Sequence, residues 1–223
     1  MNLSLPRPIY IFVGASAHGA GIAPFVPEIH LRPPVRRYDL GALPVDRSGT
    51  IILVDGIFHS QQSVSLTEIR DAIAKGWIVV GLSSMGALRA VEARPLGMVG
   101  FGRVFRWLSL FKVEEDDEVA QILDPDSFEA LSDAMVDLRY FLRGLERDGC
   151  ISRKVRASIL RDLKSMFYPK RNLRLILDSP HLSSLGNDSR QRVAELAKSH
   201  IGLKQLDFRD LVRSLERSTE GTL

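Results

Sequence analysis

The chain has 223 residues, of which 45% are hydrophobic and 26% charged, and its formal net charge is +3. This composition excludes a disordered, collagen-like or low-complexity chain, and so small a net charge does not demand a polyanionic partner. Cys150 is the single cysteine, which excludes a disulfide framework and a cysteine-based zinc site. Because we see neither a signal peptide nor an apolar run of about 18 residues, we expect a cytoplasmic protein without a membrane span.

Three short apolar runs in the first half, residues 9–13, 50–54 and 77–82, predict buried strands. Helical patterns separate the later runs, which favours parallel pairing and an α/β layer with helices on the sheet. Four prolines predict an irregular stretch after the first strand, because proline disrupts helices and internal strands. They are Pro24, Pro27, Pro33 and Pro34.

Ser65 and Glu68 have the spacing of a capping box, in which each side chain bonds to the other residue's amide. The helix that they begin is expected to run to about Lys75, with Gly76 as its left-handed end. A second, short helix is expected to follow Ser84 and to run from Met85 to Ala93.

The second half has helical periodicity over residues 126–148, after Ser152, and more weakly at 190–199 and 207–217. We therefore predict an α/β layer over residues 1–112, a parallel-type sheet with flanking helices that carries the SSMGALRA turn. A helical region over residues 113–223 is expected to pack on it.

Charge is distributed unevenly along this second half. Residues 114–137 contain ten acidic and no basic residues, whereas residues 139–174 contain eleven basic and three acidic residues. Such blocks are either docking surfaces for partners or the solvated faces of amphipathic helices. The basic block has no RNP motif, KH loop or zinc finger, so we predict no nucleic-acid partner.

No cofactor motif is apparent. The loop over residues 14–21 follows a strand, but it lacks the spacing of a dinucleotide or P-loop motif, so a tight turn is the favoured interpretation. The five histidines contain no HxxxH pair. Asp116, Asp117 and Glu118 have oxygen ligands for a divalent cation, but a solvated or capping role is favoured. We predict neither a metal nor a cofactor.

The segment from Gly81 to Gly86 is the strongest local signal for chemistry. A serine at a sharp strand-to-helix turn can present its hydroxyl beside helix amides that stabilise an oxyanion. The GxSxG motif is not matched, because Met85 takes the place of its last glycine. Ser83 and Ser84 can therefore be a nucleophile or simple helix caps.

Several segments in the correct order resemble the TfuA-like protein family. They are DGIF (55–58), SV (63–64), EI (68–69), SMGALRA (84–90), GMVGFGRVF (97–105) and DDEVA (116–120). The resemblance implies partnership with a YcaO enzyme, which activates a peptide amide with ATP in the modification of ribosomal peptides or proteins. It implies thioamidation, in which the chain hydrolyses the thiocarboxylated C-terminus of a ThiS-like sulfur carrier with a serine–lysine pair and releases sulfide.

Residue by residue, the resemblance implies that Ser84 is the nucleophile, with its neighbour Ser83 as the alternative. The amides near Met85, Gly86 and Ala87 would stabilise the oxyanion. Other matched positions would frame the site or contact the YcaO enzyme, the carrier or a precursor peptide. They are Asp55, Phe58, Glu68, Met85, Gly86, Arg89, Asp116, Asp117 and Glu118.

One departure from the family concerns the base. The family commonly has a lysine where this chain has Thr67, and threonine cannot accept a proton at neutral pH. His59 follows the second predicted strand and starts from the same sheet edge as Ser84, so it is a candidate base, although a solvent-exposed loop histidine is an equally simple explanation.

Two functions from different classes therefore compete. The first is a serine-dependent thiocarboxylate hydrolase that feeds sulfide to YcaO, and the second is a non-catalytic docking and activating subunit of YcaO. A generic serine hydrolase or an RNA-binding protein is a third alternative.

Overall fold

The computed structural model describes residues 5–18, 28–44, 48–58, 62–111 and 116–220. The chain forms two compact units. The first contains the residues up to Asp116, Pro125–Glu129 and the residues from Lys204 onward, and the second contains Asp117–Asp124 and Ala130–Leu203. The predicted parallel sheet with flanking helices and the helical second half are confirmed. The domain boundary at residue 112 stays a prediction.

Parallel strands form the sheet of the first unit. Within the described residues they are Ile9–Phe12 (β1), Ile29–Arg32 (β2), Thr50–Leu53 (β3), Ile78–Gly81 (β4) and Val99–Gly100 (β5). Their order in the sheet is β2-β1-β3-β4-β5, and the three apolar runs are confirmed as β1, β3 and β4. Phe12 aligns with Leu53, and Leu53 aligns with Gly81, so the carboxyl ends of these three strands lie side by side.

The expectation of an irregular stretch after β1 is wrong for β2. This strand pairs with β1 alone, at one edge of the sheet, and Pro33 and Pro34 follow it. A short edge strand with prolines beyond its end loses no ladder hydrogen bond to them. Pro24 and Pro27 lie outside the described residues.

Two of the predicted helix caps are confirmed, whereas the Ser84 side chain makes no capping hydrogen bond. The Ser65 hydroxyl accepts the Glu68 amide and the Glu68 carboxylate accepts the Ser65 amide, which confirms the capping box, and Gly76 has a φ of 90°. Ser152 likewise accepts the Val155 amide. The described α-helices are Leu66–Ala74 (α1), Met85–Glu92 (α2), Gly102–Phe111 (α3), Met135–Arg147 (α4), Arg153–Ser165 (α5), Arg174–Leu177 (α6), Asn187–Lys198 (α7) and Leu203–Glu220 (α8).

The helix predicted from residue 126 begins later, at Met135. Phe128 has a left-handed backbone (φ 57°), and the Leu131 amide donates to the Ile122 carbonyl instead of to a helical partner. The apolar spacing of Phe128 and Leu131 is therefore not a helical face, and Leu131 is largely exposed. Periodicity extended the predicted helix too far because it does not register backbone turns.

Both faces of the sheet are covered within the first unit. Tyr10, Phe12 and Leu53 belong to a buried cluster that includes residues of α1 and α2. The alternate side chains, such as Ile11 and Val80, pack with Phe208, Leu211 and Leu215 of α8 on the other face. Fully burying a Phe or Leu side chain contributes roughly 1.5–3 kcal/mol, so α8 is an integral layer of this unit.

The second unit has its own apolar core. Buried residues of α4 to α7 contribute to it, among them Leu138, Leu142, Ile159, Ile176 and Val193. The amphipathic patterns that predicted α4 and α5 thus correspond to faces buried within this unit.

Candidate functional site

The turn between β4 and α2 has an unusual backbone. Ser83 has a φ of 67°, a left-handed conformation that costs a residue other than glycine about 1–3 kcal/mol, and such residues cluster at functional sites. Ser84 follows it as the residue before α2. Gly81 and Gly86 pack so closely that a Cβ on Gly81 would lie 2.0 Å from the Gly86 carbonyl oxygen. The serines therefore sit at a tight strand-to-helix turn, as the sequence predicted.

The Ser83 hydroxyl belongs to a buried chain of hydrogen bonds. Its Oγ lies 2.8 Å from Ser16 Oγ and 3.0 Å from the Lys204 carbonyl oxygen. Ser16 Oγ donates to Asp55 Oδ1 at 2.7 Å. All three side chains of the chain Ser83–Ser16–Asp55 are at most 2% exposed. Loops that follow β4, β1 and β3 thus bring together polar groups that lie far apart in the sequence.

Asp55 also organises the loop after β1. Its Oδ2 accepts the amides of Gly14 and Ser16, both at 2.9 Å. The strand order reverses between β1 and β3, the place where open α/β sheets usually bind ligands. Here an internal carboxylate occupies two amides of the loop that would otherwise be available to an external anion.

The amides expected to stabilise an oxyanion are mostly engaged. The Ser84 and Gly86 amides both donate to the Val54 carbonyl, and the Ala87 amide donates to the Ser84 carbonyl. Of the predicted Met85–Ala87 donors, the Met85 amide is the one with no acceptor within the described residues. Among these three amides it is therefore the one that is available to an external acceptor in the described part of the chain.

The other predicted binding residues contact their own chain. Phe58 packs against the buried cluster of α1 and α2. The Glu68 carboxylate accepts the Tyr38 amide in addition to its capping-box bonds, and Arg89 Nε donates to the Val64 carbonyl. Arg89 also pairs with Glu92. These contacts hold the segment before α1 in place, and the predicted contacts of these residues with partners stay predictions.

The structure describes one of the two positions that concern the base, Thr67 and His59. Thr67 lies in the first turn of α1, as predicted, and the structure shows that it is exposed. His59 lies outside the described residues.

Sequence reasoning missed Ser16 and Lys204. Ser16 lies in the loop after β1, and no sequence motif marks its hydroxyl. Lys204 is 2% exposed, and its carbonyl meets Ser83 across 121 positions of sequence.

Asp207, one turn further along α8, accepts the amides of Arg103 and Val104 at the start of α3. Burial raises the pKa of Asp207 although these hydrogen bonds oppose it.

Two members of the acidic triplet, Asp117 and Glu118, belong to the second unit and are ion-paired there. Asp117 pairs with Lys164 and Arg171, and Glu118 pairs with Lys164 and Arg139. Asp116 is exposed. Within the described residues no cluster of His, Cys, Asp and Glu could hold a metal ion. The acidic and basic blocks thus partly neutralise each other inside this unit.

The pH dependence of stability follows from these pairs. Burial alone would raise the pKa of Asp117 and of Glu118, but hydrogen bonds and charges of the basic partners outweigh it and lower both. A depressed folded pKa stabilises the fold above the unfolded value, roughly pH 4, and this contribution is lost as pH falls through the folded value. We expect urea unfolding to show this acid loss and Glu118→Gln to reduce it. Asp116→Asn is the control, and an equal acid loss in Glu118→Gln would contradict the assignment.

Comparison with known proteins gives a match that includes the β4–α2 turn. No protein with a curated description matches significantly. The family model described as TfuA-like protein matches residues 55–172, which is more than half of the chain and includes the β4–α2 turn. No helix among the described residues has both the length and the apolar character that a membrane crossing needs. The chain belongs to the TfuA-like protein family.

Proposed function

We propose that this TfuA-like protein hydrolyses the thiocarboxylated C-terminus of a ThiS-like sulfur carrier through a serine nucleophile. The sulfide goes to a YcaO-type enzyme that introduces a thioamide into a ribosomal peptide or protein. Family membership supports this proposal, because the resemblance implies both partners and the hydrolysis. A precursor peptide is a further expected partner.

The observation that carries the proposal is the β4–α2 turn. It combines Ser83, whose backbone is left-handed, with Ser84 directly before α2. The Met85 amide beside them has no acceptor in the described part of the chain. These supply two of the parts that acyl transfer requires, a hydroxyl nucleophile and an amide that is available to a developing oxyanion. The resemblance assigns the attack to Ser84, and the left-handed backbone favours Ser83.

The test measures sulfide released from a thiocarboxylated ThiS-like carrier by the full chain, with and without YcaO. We expect release by the natural chain and a loss of at least about 10²-fold in Ser83→Ala or Ser84→Ala, because removal of a nucleophile leaves only binding and oxyanion stabilisation. Circular dichroism and thermal unfolding verify the fold of each variant. Normal release by both variants would contradict a serine mechanism.

The replacement of the family's lysine gives a separate prediction. Thr67 is exposed at the start of α1, so a lysine there is accommodated without a cavity or a clash. We expect Thr67→Lys to raise the rate of sulfide release, because it restores the expected base, and His59→Ala to lower it in the natural chain. Arg70→Lys, at an exposed position of the same helix, is the control. Unchanged rates in both variants would show that neither position supplies the base.

One observation favours the second candidate function, a docking and activating subunit of YcaO. Ser83 and Ser84 are at most 2% exposed, so a carrier tail reaches them only if a neighbouring segment moves. If the chain only docks, it releases no sulfide. When sulfide is added, Ser83→Ala and Ser84→Ala would then raise YcaO turnover as much as the natural chain does. The same set of assays therefore separates the two functions.

A further inference from the structure

The buried hydrogen-bonded series Ser83–Ser16–Asp55 has more oxygen–oxygen contacts than it has hydroxyl protons to fill them. Three oxygen–oxygen distances lie between 2.7 and 3.0 Å: Asp55 to Ser16, Ser16 to Ser83, and Ser83 to the Lys204 carbonyl. The two hydroxyls supply one proton each, and an ionised carboxylate and a carbonyl can only accept. One of the three contacts is therefore always without a proton.

The direction in which these hydrogen bonds are donated follows from the contacts of Asp55. Its Oδ2 accepts two amides, so Oδ1 takes the Ser16 proton at 2.7 Å. Ser16 Oγ can then only accept at its contact with Ser83. The single Ser83 proton is left with two acceptors, Ser16 Oγ and the Lys204 carbonyl.

These two acceptors have different chemical consequences. A proton directed at Ser16 lies on a continuous path to a carboxylate that can take it up, which makes Ser83 Oγ a better nucleophile. A proton directed at the Lys204 carbonyl has no base to reach. Loss of the Lys204 contact would leave Ser16 Oγ as the acceptor of the Ser83 proton.

We infer that Ser16 is a catalytic residue that relays the Ser83 proton to Asp55, and that Ser83 is the attacking hydroxyl. This inference rests on the proposed function and assigns a role to Ser16, which lies outside the region that the family model matches. It also explains the left-handed backbone of Ser83, because a strained residue persists where the surrounding contacts hold it.

The proton balance of the reaction fits this relay. The carrier's thiocarboxylate is an anion, so its sulfur leaves as HS⁻ only if it takes up one proton. Ser83 Oγ bonds to the terminal carbonyl carbon as its proton passes to Ser16 and the Ser16 proton passes to Asp55. The C–S bond then breaks, and one proton leaves the relay with the sulfur, giving acyl-Ser83 and HS⁻. Water hydrolyses the acyl group, restores the Ser83 hydroxyl, and releases the carrier carboxylate and one proton.

The first experiment compares sulfide release by the natural chain and by Ser16→Ala and Ser16→Thr. We expect Ser16→Ala to lower kcat by about 10²-fold or more with little change in KM, the size usual for loss of acid–base assistance. Ser16→Thr keeps the hydroxyl and is expected to recover much of the rate. In mixtures of H₂O and D₂O the natural chain should show a curved dependence of kcat, since two protons move together. Ser214→Ala, another buried serine of the first unit, is the control.

A second readout does not depend on the carrier. A fluorophosphonate probe labels activated serines, and peptide mass spectrometry locates the label. We expect labelling at Ser83 and a slower rate in Ser16→Ala. Label on Ser84 alone, or equal rates of release and labelling in the natural chain and Ser16→Ala, would overturn the relay. If the natural chain releases no sulfide but Ser83 is labelled in a Ser16-dependent way, the carrier function fails and the relay stands.

Discussion

Gly86→Ala is expected to destabilise the first unit by more than about 3 kcal/mol, beyond the usual cost of overpacking. An ideal Cβ at this position would lie 1.7 Å from the Leu53 carbonyl oxygen and 2.4 Å from its carbon. These are main-chain atoms of a central strand, so α2 would have to move away from β3. The glycine of the SMGALRA segment is thus required by close packing of helix on strand.

Gly144→Ala is the matched control. Gly144 is also inside a helix, α4, but an added Cβ would meet no atom within 4 Å. Alanine there should stabilise the helix by about 0.5–1 kcal/mol. Urea unfolding followed by circular dichroism measures both variants. Similar unfolding midpoints for Gly86→Ala and the natural chain would contradict the close approach of α2 to β3.

Arg171→Met is expected to destabilise the second unit by about 3–5 kcal/mol, because it removes one of the two cationic partners of the partly buried Asp117 carboxylate and leaves several carbonyls without their donor. The Arg171 guanidinium donates to Asp117 Oδ1 at 2.7 Å, to the Asp117 carbonyl, and to the carbonyls of Leu163 and Met166. Its side chain is 1% exposed. Methionine fills a similar volume but donates no hydrogen bond.

Arg174→Met is the control for this prediction. Arg174 pairs with Asp178 at the surface, with 85% of its side chain exposed, and exposed pairs contribute at most about 1 kcal/mol. The difference between the two variants therefore measures the buried network. Equal unfolding free energies for Arg171→Met and Arg174→Met would show that Asp117 does not depend on this arginine.

Both predictions bear on how the family motifs are interpreted. Gly86 and Asp117 belong to segments that carry the resemblance, yet each has a structural task in its own unit. A loss of activity in their variants would follow from misfolding alone. Ser16 and Ser83 are better targets for mechanism, because their hydroxyls bond to each other and their removal creates no clash.

Local signals were sufficient for much of the fold. The apolar runs of β1, β3 and β4, the capping box of Ser65 and Glu68, and the Ser152 cap each depend on a few neighbouring residues. Interactions of this range are encoded directly in adjacent sequence. Alternation of strands and helices then favours a parallel sheet, which is confirmed.

Elements without a local signal were missed or misplaced. β2, Ile29–Arg32, has no marked local signal and forms because β1 offers it an edge. β5 has only two residues. The start of α4 depends on the left-handed Phe128 and on a bridge between Leu123 and Ala130. Such turns depend on distant partners, so periodicity alone cannot locate them.

The sequence by itself determined that a serine pair lies at a strand-to-helix turn, because the strand, the serines and the helix are contiguous. Only the tertiary structure decided which groups surround that turn. Ser16 lies 67 positions before Ser83, and Lys204 lies 121 positions after it. They meet Ser83 because three parallel strands end in register at one edge of the sheet and because α8 packs on the face beside it. Hydrogen bonds require atoms within about 3 Å, and only the packed sheet and helix bring these atoms that close.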